Sequence, residues 1–302
     1  MDYVDRNGRL HREQGLQDRL LSRMYAGAWG RRLIRLLVRP GISRAAGAFL
    51  DTRLSGCLIG PFIRWNHLDM SIYKRRSAGE FLSYNDFFTR ELLPGLRPVE
   101  EDPGRLPAPC DGKVTVYPVR EDTSFLVKHT RYTVKSLLKN ESLAKRSAGG
   151  YAVILRLCVT DYHRYIYPVT GEKSRNHFIP GILHTVNPAA VETGEVFKEN
   201  AREYTLIRNK EFGTLLQMEV GALLVGRICN YHSAGSVCRG EEKGKFEFGG
   251  STVILLIQKD RAVIRKDLLA NTARGWETQV HMGDEIAVTP NLFLAKRKQG
   301  NV

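Results

Sequence analysis

The run STVILLIQ, residues 251–258, is rich in β-branched and apolar residues and follows a Gly-Gly pair. Short runs of this kind, bounded by Gly, Pro, Asn or Asp, are typical of β-strands. Six others occur beyond residue 80: KVTVYPV (113–119), YAVILRLCV (151–159), YTLIRN (204–209), TLLQMEV (214–220), ALLVGRI (222–228) and EIAVT (285–289). Their close spacing, with few long helical patterns between them, favours a largely antiparallel sheet or barrel over alternating βαβ units.

Composition excludes several classes of protein. Of the 302 residues, 42% are hydrophobic and 26% are charged, so the chain can build a sizeable core and is not wholly disordered. No apolar run approaches the roughly 18 residues that a membrane span requires. The start, MDYVDRNGRL, has two acids and no apolar segment, which argues against a secretory signal. Five cysteines without a CxxC pair predict neither a disulfide framework nor a zinc site, and indicate a reducing compartment.

Positive charge is concentrated at the N-terminus. The chain has 46 Lys+Arg against 32 Asp+Glu, a net charge of +14, and residues 1–76 alone have 15 against 6, a net of +9. Arginines from Arg19 to Arg39 recur at multiples of four residues, and apolar residues fall mostly between them, which predicts an amphipathic helix ending at Pro40-Gly41. A second apolar patch, GCLIGPFIRW (56–65), carries Trp65 near its edge.

A basic amphipathic helix with an aromatic edge is typical of elements that bind a membrane surface. Each arginine near an anionic leaflet contributes about 1 kcal/mol, so reversible docking is expected. The alternative is a helix packed on the body of the protein with its arginines in solvent. Nucleic acid is a less favoured partner, because the chain contains no motif that reads DNA or RNA.

Two segments place polar residues beside predicted strands. In APCDGKV (108–114), Asp111 precedes a strand, although an ordinary Asp-Gly turn explains the pair equally well. In DYHRYIYP (161–168), His163 follows a buried strand, where an imidazole can be held rigidly enough to act as a general base. A structural histidine bonded to backbone is the alternative. Asp161 lies two residues away, but Asp111 is taken as the better orienting partner.

The segment RGEEKGKFEFGGST (239–252) is rich in glycine but lacks the Gly-Lys-Ser/Thr ending of a phosphate-binding loop. Glycine before Ser251 leaves the preceding carbonyl open to attack by the serine hydroxyl. Such an N-to-O acyl shift, followed by elimination and hydrolysis, would leave a pyruvoyl group. The alternative is a β-bulge with a surface serine.

Taken together and in order, these segments resemble the phosphatidylserine decarboxylases over roughly Tyr84 to Val288. The segments that carry the resemblance are NDFFTRELLPGLRP (85–98), APCDGKV (108–114), DYHRYIYP (161–168), GILHTVNP (181–188), VFKENAREY (196–204), RGEEKGKFEFGGST (239–252) and VHMGDEIA (280–287). The RGEEKGKFEFGGST segment is the most specific of them.

The resemblance implies a proenzyme that cuts itself between Gly250 and Ser251 into a β chain, residues 1–250, and an α chain, residues 251–302. Ser251 would become a covalent pyruvoyl cofactor, to which the amine of phosphatidylserine binds as a Schiff base. Loss of carbon dioxide would then leave phosphatidylethanolamine. Pattern and resemblance together predict an α+β fold. A basic helical membrane-docking region, residues 1–80, would precede a catalytic domain, residues 81–302, built on a mainly antiparallel sheet or barrel.

The resemblance also implies roles for individual residues. Asp111 would orient a histidine that activates Ser251, as in a Ser-His-Asp triad. Family members usually have a second histidine in DYHRxHxP, assigned to self-cleavage, whereas this chain has Ile166. Two hypotheses follow: His163 serves both self-cleavage and decarboxylation, or His184 takes one of the two roles. No metal is expected.

The implied partners are phosphatidylserine, an anionic membrane surface and the two chains cut from one precursor, with a homodimer left open. The implied location is peripheral, on the cytoplasmic face of the cell membrane. Two alternatives remain at this point. One is a pyruvoyl-dependent decarboxylase of another amino-acid substrate, and the other is a catalytically inactive membrane-binding relative, suggested by Ile166.

Overall fold

The computed structural model describes residues 2–12, 45, 47–120, 123–127, 130–183, 198–221, 227–247 and 251–298. The strands are β1 (Tyr3–Val4), β2 (Leu10–His11), β3 (Arg105–Pro107), β4 (Gly112–Pro118), β5 (Ser124–Val127), β6 (Thr130–Thr133), β7 (Tyr151–Leu157), β8 (Arg164–Ile166), β9 (Gly171–Lys173), β10 (His177–Ile179), β11 (Ile182–Leu183), β12 (Lys198–Glu199), β13 (Arg202–Asn209), β14 (Gly213–Val220), β15 (Ile228–Asn230), β16 (Gly235–Val237), β17 (Glu242–Phe246), β18 (Ser251–Ile257), β19 (Val263–Ile264), β20 (Glu277–Val280) and β21 (Glu285–Val288). The α-helices are α1 (Ile59–Trp65), α2 (Tyr84–Phe88), α3 (Val134–Leu138), α4 (Glu141–Ser147), α5 (Lys266–Ala273) and α6 (Pro290–Lys298), and short 3-10 helices cover Arg53–Leu58, Met70–Ile72 and Ala78–Glu80.

An eleven-stranded sheet forms the centre of the molecule. Its strand order is β16-β9-β13-β14-β18-β7-β4-β20-β1-β2, with β10 also paired to β13. These pairings are antiparallel except for β1 on β20, which is parallel. Strands β15, β17 and β8 form a separate three-stranded sheet. The α+β prediction is confirmed, and of the two forms expected from the sequence the described strands make an open sheet, not a closed barrel.

Strand β18 lies at the centre of the large sheet, and every one of its residues is buried. Val253, Leu255 and Ile257 pack into one hydrophobic cluster, while Ile254 and Leu256 pack into a second cluster on the opposite face. Burial on both faces explains why this strand reads as a continuous apolar run instead of an alternating one. Burying a side chain of this size contributes about 1.5–3 kcal/mol, so β18 is a main source of stability.

The predicted strand runs correspond to observed strands with small shifts at their ends. KVTVYPV matches β4, YAVILRLCV matches β7, and STVILLIQ matches β18. The run ALLVGRI falls partly outside the described residues, and its last residue, Ile228, begins β15.

The N-terminal region is described only in part. The amphipathic helix predicted around Arg19 to Arg39 lies outside the described residues. The hairpin of β1 and β2 adds to the large sheet beside β20. The residues from 47 onward form a small hydrophobic cluster in which Leu50 and Ile59 pack with the aromatic residues of α2. Within the described residues, no helix has both the length and the apolar character needed to cross a bilayer.

Candidate active site

One edge of the large sheet gathers the ends of four neighbouring strands. Ser251 begins β18 and pairs directly with Leu157, the last residue of β7. Gly112 begins β4 and pairs with Val280, the last residue of β20. Because neighbouring strands run antiparallel, the start of one lies beside the end of the next. Ser251 and Asp111 therefore lie at this same edge of the sheet. They are two strands apart, which is on the order of 10 Å at the usual strand spacing.

Ser251 is enclosed by the protein, with 1% of its surface exposed. Alternate residues of a strand share a face, so Ser251 lies on the same side of β18 as Val253 and Leu255. That side faces the larger hydrophobic cluster. Ser251 is therefore not the exposed serine of a surface bulge. Gly250, the other half of the predicted cleavage site, lies outside the described residues.

His163 is fully buried between β7 and β8. Its ring Nδ1 lies 2.8 Å from the carbonyl oxygen of Asp161, and its ring packs on Phe88 with the centroids 3.9 Å apart. A carbonyl oxygen only accepts, so Nδ1 carries a proton, and in the neutral ring the lone pair lies on Nε2. The carbonyl oxygen of His163 accepts a hydrogen bond of 2.9 Å from the amide of Phe246. His163 is thereby tied to the strand that leads to Ser251.

Asp111 lies immediately before β4 and is almost completely buried. Arg97 donates to both carboxylate oxygens, from Nε at 2.8 Å and from a terminal nitrogen at 2.6 Å. The amide of Met282 donates a third hydrogen bond, at 2.8 Å. The carboxylate is thus held by a bidentate arginine and a backbone amide, and an Asp111–histidine contact remains a prediction. Sequence analysis missed Arg97, although it stands in the quoted segment NDFFTRELLPGLRP.

Asp161 contacts His163 through its backbone. Its backbone carbonyl, not its carboxylate, orients His163. The carboxylate accepts a 2.7 Å hydrogen bond from the amide of Cys158, closing the turn after β7. Burial raises the pKa of Asp161 to about 6, and the hydrogen bond from Cys158 partly opposes this increase. The nearby charge of Asp111 raises the pKa further. A buried aspartate that titrates near neutrality therefore lies beside the predicted base.

Position 166, where the family usually has histidine, holds a buried isoleucine. The amide of Ile166 donates to the carbonyl of Pro109, at 2.9 Å, and its carbonyl accepts from Gln217 at 3.2 Å. These backbone contacts hold β8 against the segment that contains Asp111. His184, the residue proposed as an alternative base, lies outside the described residues.

His281 is a histidine near Asp111 that sequence analysis did not single out. It follows Val280 at the end of β20, and its Nδ1 lies 3.0 Å from Arg6, which also pairs with Asp284. Partial burial lowers the pKa of His281, against the opposing charge of Asp111. Its position in the segment VHMGDEIA, next to a predicted strand, was the available signal.

The five cysteines are all free thiols. Burial raises the pKa of Cys110 well above its usual value, which keeps this thiol protonated and unreactive beside Asp111. Among the described residues, no group of three or more His, Cys, Asp or Glu side chains is placed to hold a metal ion.

Comparisons with known proteins show the family to which the chain belongs. The family model for phosphatidylserine decarboxylase matches residues 84–288. The phosphatidylserine decarboxylase proenzyme 2 of Clostridium acetobutylicum is 37% identical over 281 residues, covering 93% of this chain and 95% of that protein. The phosphatidylserine decarboxylase proenzyme of Fusobacterium nucleatum is 35% identical over 296 residues, covering 96% and 98%. Because the family model matches residues 84–288 and these relatives are similar over nearly the whole chain, the chain belongs to the phosphatidylserine decarboxylase family.

Proposed function

We propose that this chain is a proenzyme that cuts itself before Ser251 and then decarboxylates phosphatidylserine to phosphatidylethanolamine and carbon dioxide. Family membership supports the reaction and its substrate. The observation that carries the self-cleavage is the burial of Ser251 at the start of β18, on the sheet edge it shares with Asp111. Burial keeps competing water away from this hydroxyl, which supports its attack on the preceding carbonyl in an acyl shift.

The cleavage follows from the chemistry of residues 250 and 251. The Ser251 hydroxyl loses its proton to a base, and its oxygen attacks the carbonyl carbon of Gly250. The peptide C–N bond breaks, the nitrogen takes up a proton, and an ester joins the two residues. Removal of the Ser251 Cα proton then breaks the bond between the Ser251 Cβ and the ester oxygen, which leaves a carboxylate on Gly250 and a dehydroalanine at position 251. Addition of water releases ammonia and leaves a ketone at the start of the chain 251–302.

We assign the base to His163. Its Nδ1 is engaged by the carbonyl of Asp161, so Nε2 is the atom that can accept a proton. Its backbone accepts a hydrogen bond from the amide of Phe246, five residues before Ser251, which supports a position close to the cleavage site. The aromatic ring of Phe88 packs on the imidazole and restricts its motion. His184 is the competing candidate.

Asp111 would act as a fixed negative charge at the same edge of the sheet. Its pairing with Arg97 and with the amide of Met282 holds the carboxylate in one orientation. An ionised carboxylate stabilises a histidine that has just taken up a proton. This is the role that we propose for Asp111 during cleavage.

The pyruvoyl group that the family implies fits the surroundings of Ser251. Once formed, its ketone would supply an acceptor for the electrons that remain when carbon dioxide leaves the bound amino acid. The chain contributes an apolar enclosure, because Val253, Leu155 and Leu157 pack into the cluster on the Ser251 face of the sheet. Exclusion of water there strengthens the electrostatic interactions of nearby charged groups.

We also propose that the N-terminal region docks on an anionic membrane surface. The segment from residue 49 to residue 82 exposes large apolar side chains, led by Trp65 at 83% and Leu54 at 75%, and Phe49, Leu58 and Leu82 extend the surface. Such a surface is typical of membrane or protein contacts. The segment packs through Phe88 toward His163, so docking would bring the lipid close to the site. Peripheral attachment to the cytoplasmic face is the location that this proposal implies.

The decisive experiment is a denaturing mass spectrum of the purified full chain, paired with release of carbon dioxide from phosphatidylserine vesicles. We expect two fragments, with the lighter one beginning in a blocked pyruvoyl group, and turnover that borohydride abolishes in the presence of substrate. A homogeneous, uncut chain of 34.2 kDa without turnover would contradict the proposal.

A further inference from the structure

A buried ion pair lies behind the candidate active site. Lys243 on β17 and Glu219 on β14 are both completely buried, and the Lys243 Nζ donates to the Glu219 carboxylate. Burial lowers the pKa of Lys243 and raises that of Glu219, and the attraction between the two groups opposes both shifts. None of the steps described above uses this pair.

The pair is the centre of a polar network built around Asn230 on β15. The Asn230 side-chain oxygen accepts from Lys243 at 3.1 Å and from the Tyr165 hydroxyl at 3.2 Å. Its side-chain nitrogen donates to Glu203 at 2.8 Å and to Glu219 at 3.3 Å. The network therefore joins the large sheet, through β13 and β14, to the separate three-stranded sheet of β15, β17 and β8.

Each arm of this network ends close to a different part of the site. Lys243 lies on β17, which runs directly into the cleavage segment before Ser251. Glu219 pairs across the sheet with Val253, so it is the diagonal neighbour of Ser251 on the same face, at about 7 Å. Tyr165 lies two residues after His163. One set of hydrogen bonds thus joins β8, which follows His163, and β17, which precedes the cleavage site, to β14, the neighbour of β18.

Stability alone does not explain such a pair. Desolvating two charges costs several kcal/mol per ion, and a buried ion pair can often be replaced by apolar residues with neutral or favourable effect. In some proteins a buried polar group selects one geometry among several, because it has few alternative partners in a core. Here that geometry is the position of β17 against β14.

We propose that Lys243 and Glu219 are positioning residues that fix β17, the strand before the cleavage site, relative to β14 and β18, and that keep this geometry in the mature enzyme after the cut. This inference rests on the proposed self-cleavage before Ser251. Both residues lie in the chain 1–250, so a cut before Ser251 does not separate them, and β14 stays paired with β18. The pair acts through Asn230 and Tyr165 and does not itself touch the reacting atoms.

The test uses the full chain made by cell-free translation, with the cut followed over time on denaturing gels. Glu219→Leu combined with Lys243→Met removes both charges, so no uncompensated ion remains. We expect this variant to melt within about 5 °C of the parent, or above it. It should nevertheless cut roughly tenfold or more slowly, since a displacement of about 1 Å can cost roughly a hundredfold in rate. A variant that is folded and cuts at the parent rate would overturn the inference.

Two further measurements separate positioning from a general loss of structure. Mature enzyme isolated from the slow variant should show a lowered kcat with KM unchanged, because substrate binding does not use the pair. Lys243→Arg, which restores a buried cation and its donors, should cut faster than Lys243→Met. If the double variant fails to fold, Glu219→Gln keeps the shape of the side chain and should still slow the cut; an unslowed Glu219→Gln also overturns the inference.

The matched control is Arg265→Met. Arg265 makes a bidentate pair with Asp267 at the start of α5, and none of its described hydrogen bonds reaches the site residues. This variant should cut at the parent rate. Failure of the proposed function is distinguishable, because the parent chain itself would then remain uncut.

Discussion

The Nδ1 atom of His163 lies 2.8 Å from the backbone carbonyl oxygen of Asp161. The imidazole is therefore oriented by the main chain two residues earlier, while the Asp161 carboxylate closes a turn and the Asp111 carboxylate is paired with Arg97. Because a backbone oxygen cannot change its protonation state, the tautomer of His163 is set independently of pH by this contact. The side chain of Asp161, in contrast, titrates close to neutrality.

Asp161→Asn should change how stability depends on pH. Burial raises the folded-state pKa to about 6 from 3.8, so the folded protein binds this proton more tightly than the unfolded chain does. The resulting stabilisation is complete below the unfolded pKa and is lost as the pH rises through about 6, an amplitude of about 3 kcal/mol. We expect the parent to lose that amount relative to Asp161→Asn between pH 4 and pH 7. Urea unfolding in an uncut Ser251→Ala background measures it, and a difference that does not vary with pH would contradict the assignment.

Ser251→Ala should leave the chain intact at 34.2 kDa. Alanine removes the nucleophile but fits the buried position, so the variant should fold. Mass spectrometry after prolonged incubation provides the measurement. The control is Ser236→Ala, at an exposed serine of β16, which should be cut like the parent. Fragments from Ser251→Ala that meet between residues 250 and 251 would assign the nucleophile elsewhere.

His163→Gln should abolish cutting while preserving much of the packing. The glutamine amide can still donate toward the Asp161 carbonyl, but it cannot accept a proton at neutral pH. We expect at least a hundredfold slower appearance of fragments, the scale of a lost general base. His177→Ala, at a histidine of β10, serves as the control. Cutting that persists in His163→Gln but disappears in His184→Ala would transfer the role of base to His184.

Arg97→Met should destabilise the protein and impair the site together. The substitution leaves the Asp111 carboxylate buried without its bidentate partner, at an expected cost of about 3 kcal/mol in the free energy of unfolding. Self-cleavage should also slow, because the Asp111 carboxylate loses the two hydrogen bonds from Arg97 that orient it. Lys74→Met breaks the exposed pair with Glu91 and should cost less than about 1 kcal/mol. Equal effects of the two substitutions would show that Asp111 does not depend on Arg97.

Leu54→Ser combined with Trp65→Ser should weaken binding to vesicles that contain anionic lipid. Each exposed apolar side chain can contribute about 2 kcal/mol on burial in the membrane interface, so the loss should be at least roughly tenfold. Vesicle flotation measures binding, and turnover of phosphatidylserine dispersed in detergent should be retained. Phe178→Ser, at an exposed residue of β10, is the control and should bind normally. Undiminished flotation of the double variant would exclude this surface as the docking element.

Much of the fold could be predicted because strand formation leaves a local trace. The residues of β4, β7 and β18 form short apolar runs between turn residues, a pattern that predicts strands. The order of the motifs indicates the family. Whether the sheet closes could not be predicted, since closure depends on how the outermost strands are covered. In the structure the described edge strands β16 and β2 lie at opposite ends of an open sheet.

Ser251 could be predicted as the nucleophile from neighbouring residues alone, because Gly250-Ser251 directly precedes an apolar strand run. The sequence also brought Asp111 and His163 forward as candidates through their motifs. The contacts of Asp111 and His163 became known from the folded chain alone. Arg97 and Asp111 are in contact although 14 residues separate them in sequence, and Lys243 and Glu219 although 24 do. Such contacts are created when antiparallel strands bring distant segments to one sheet edge, and no local pattern records which side chain will lie opposite which.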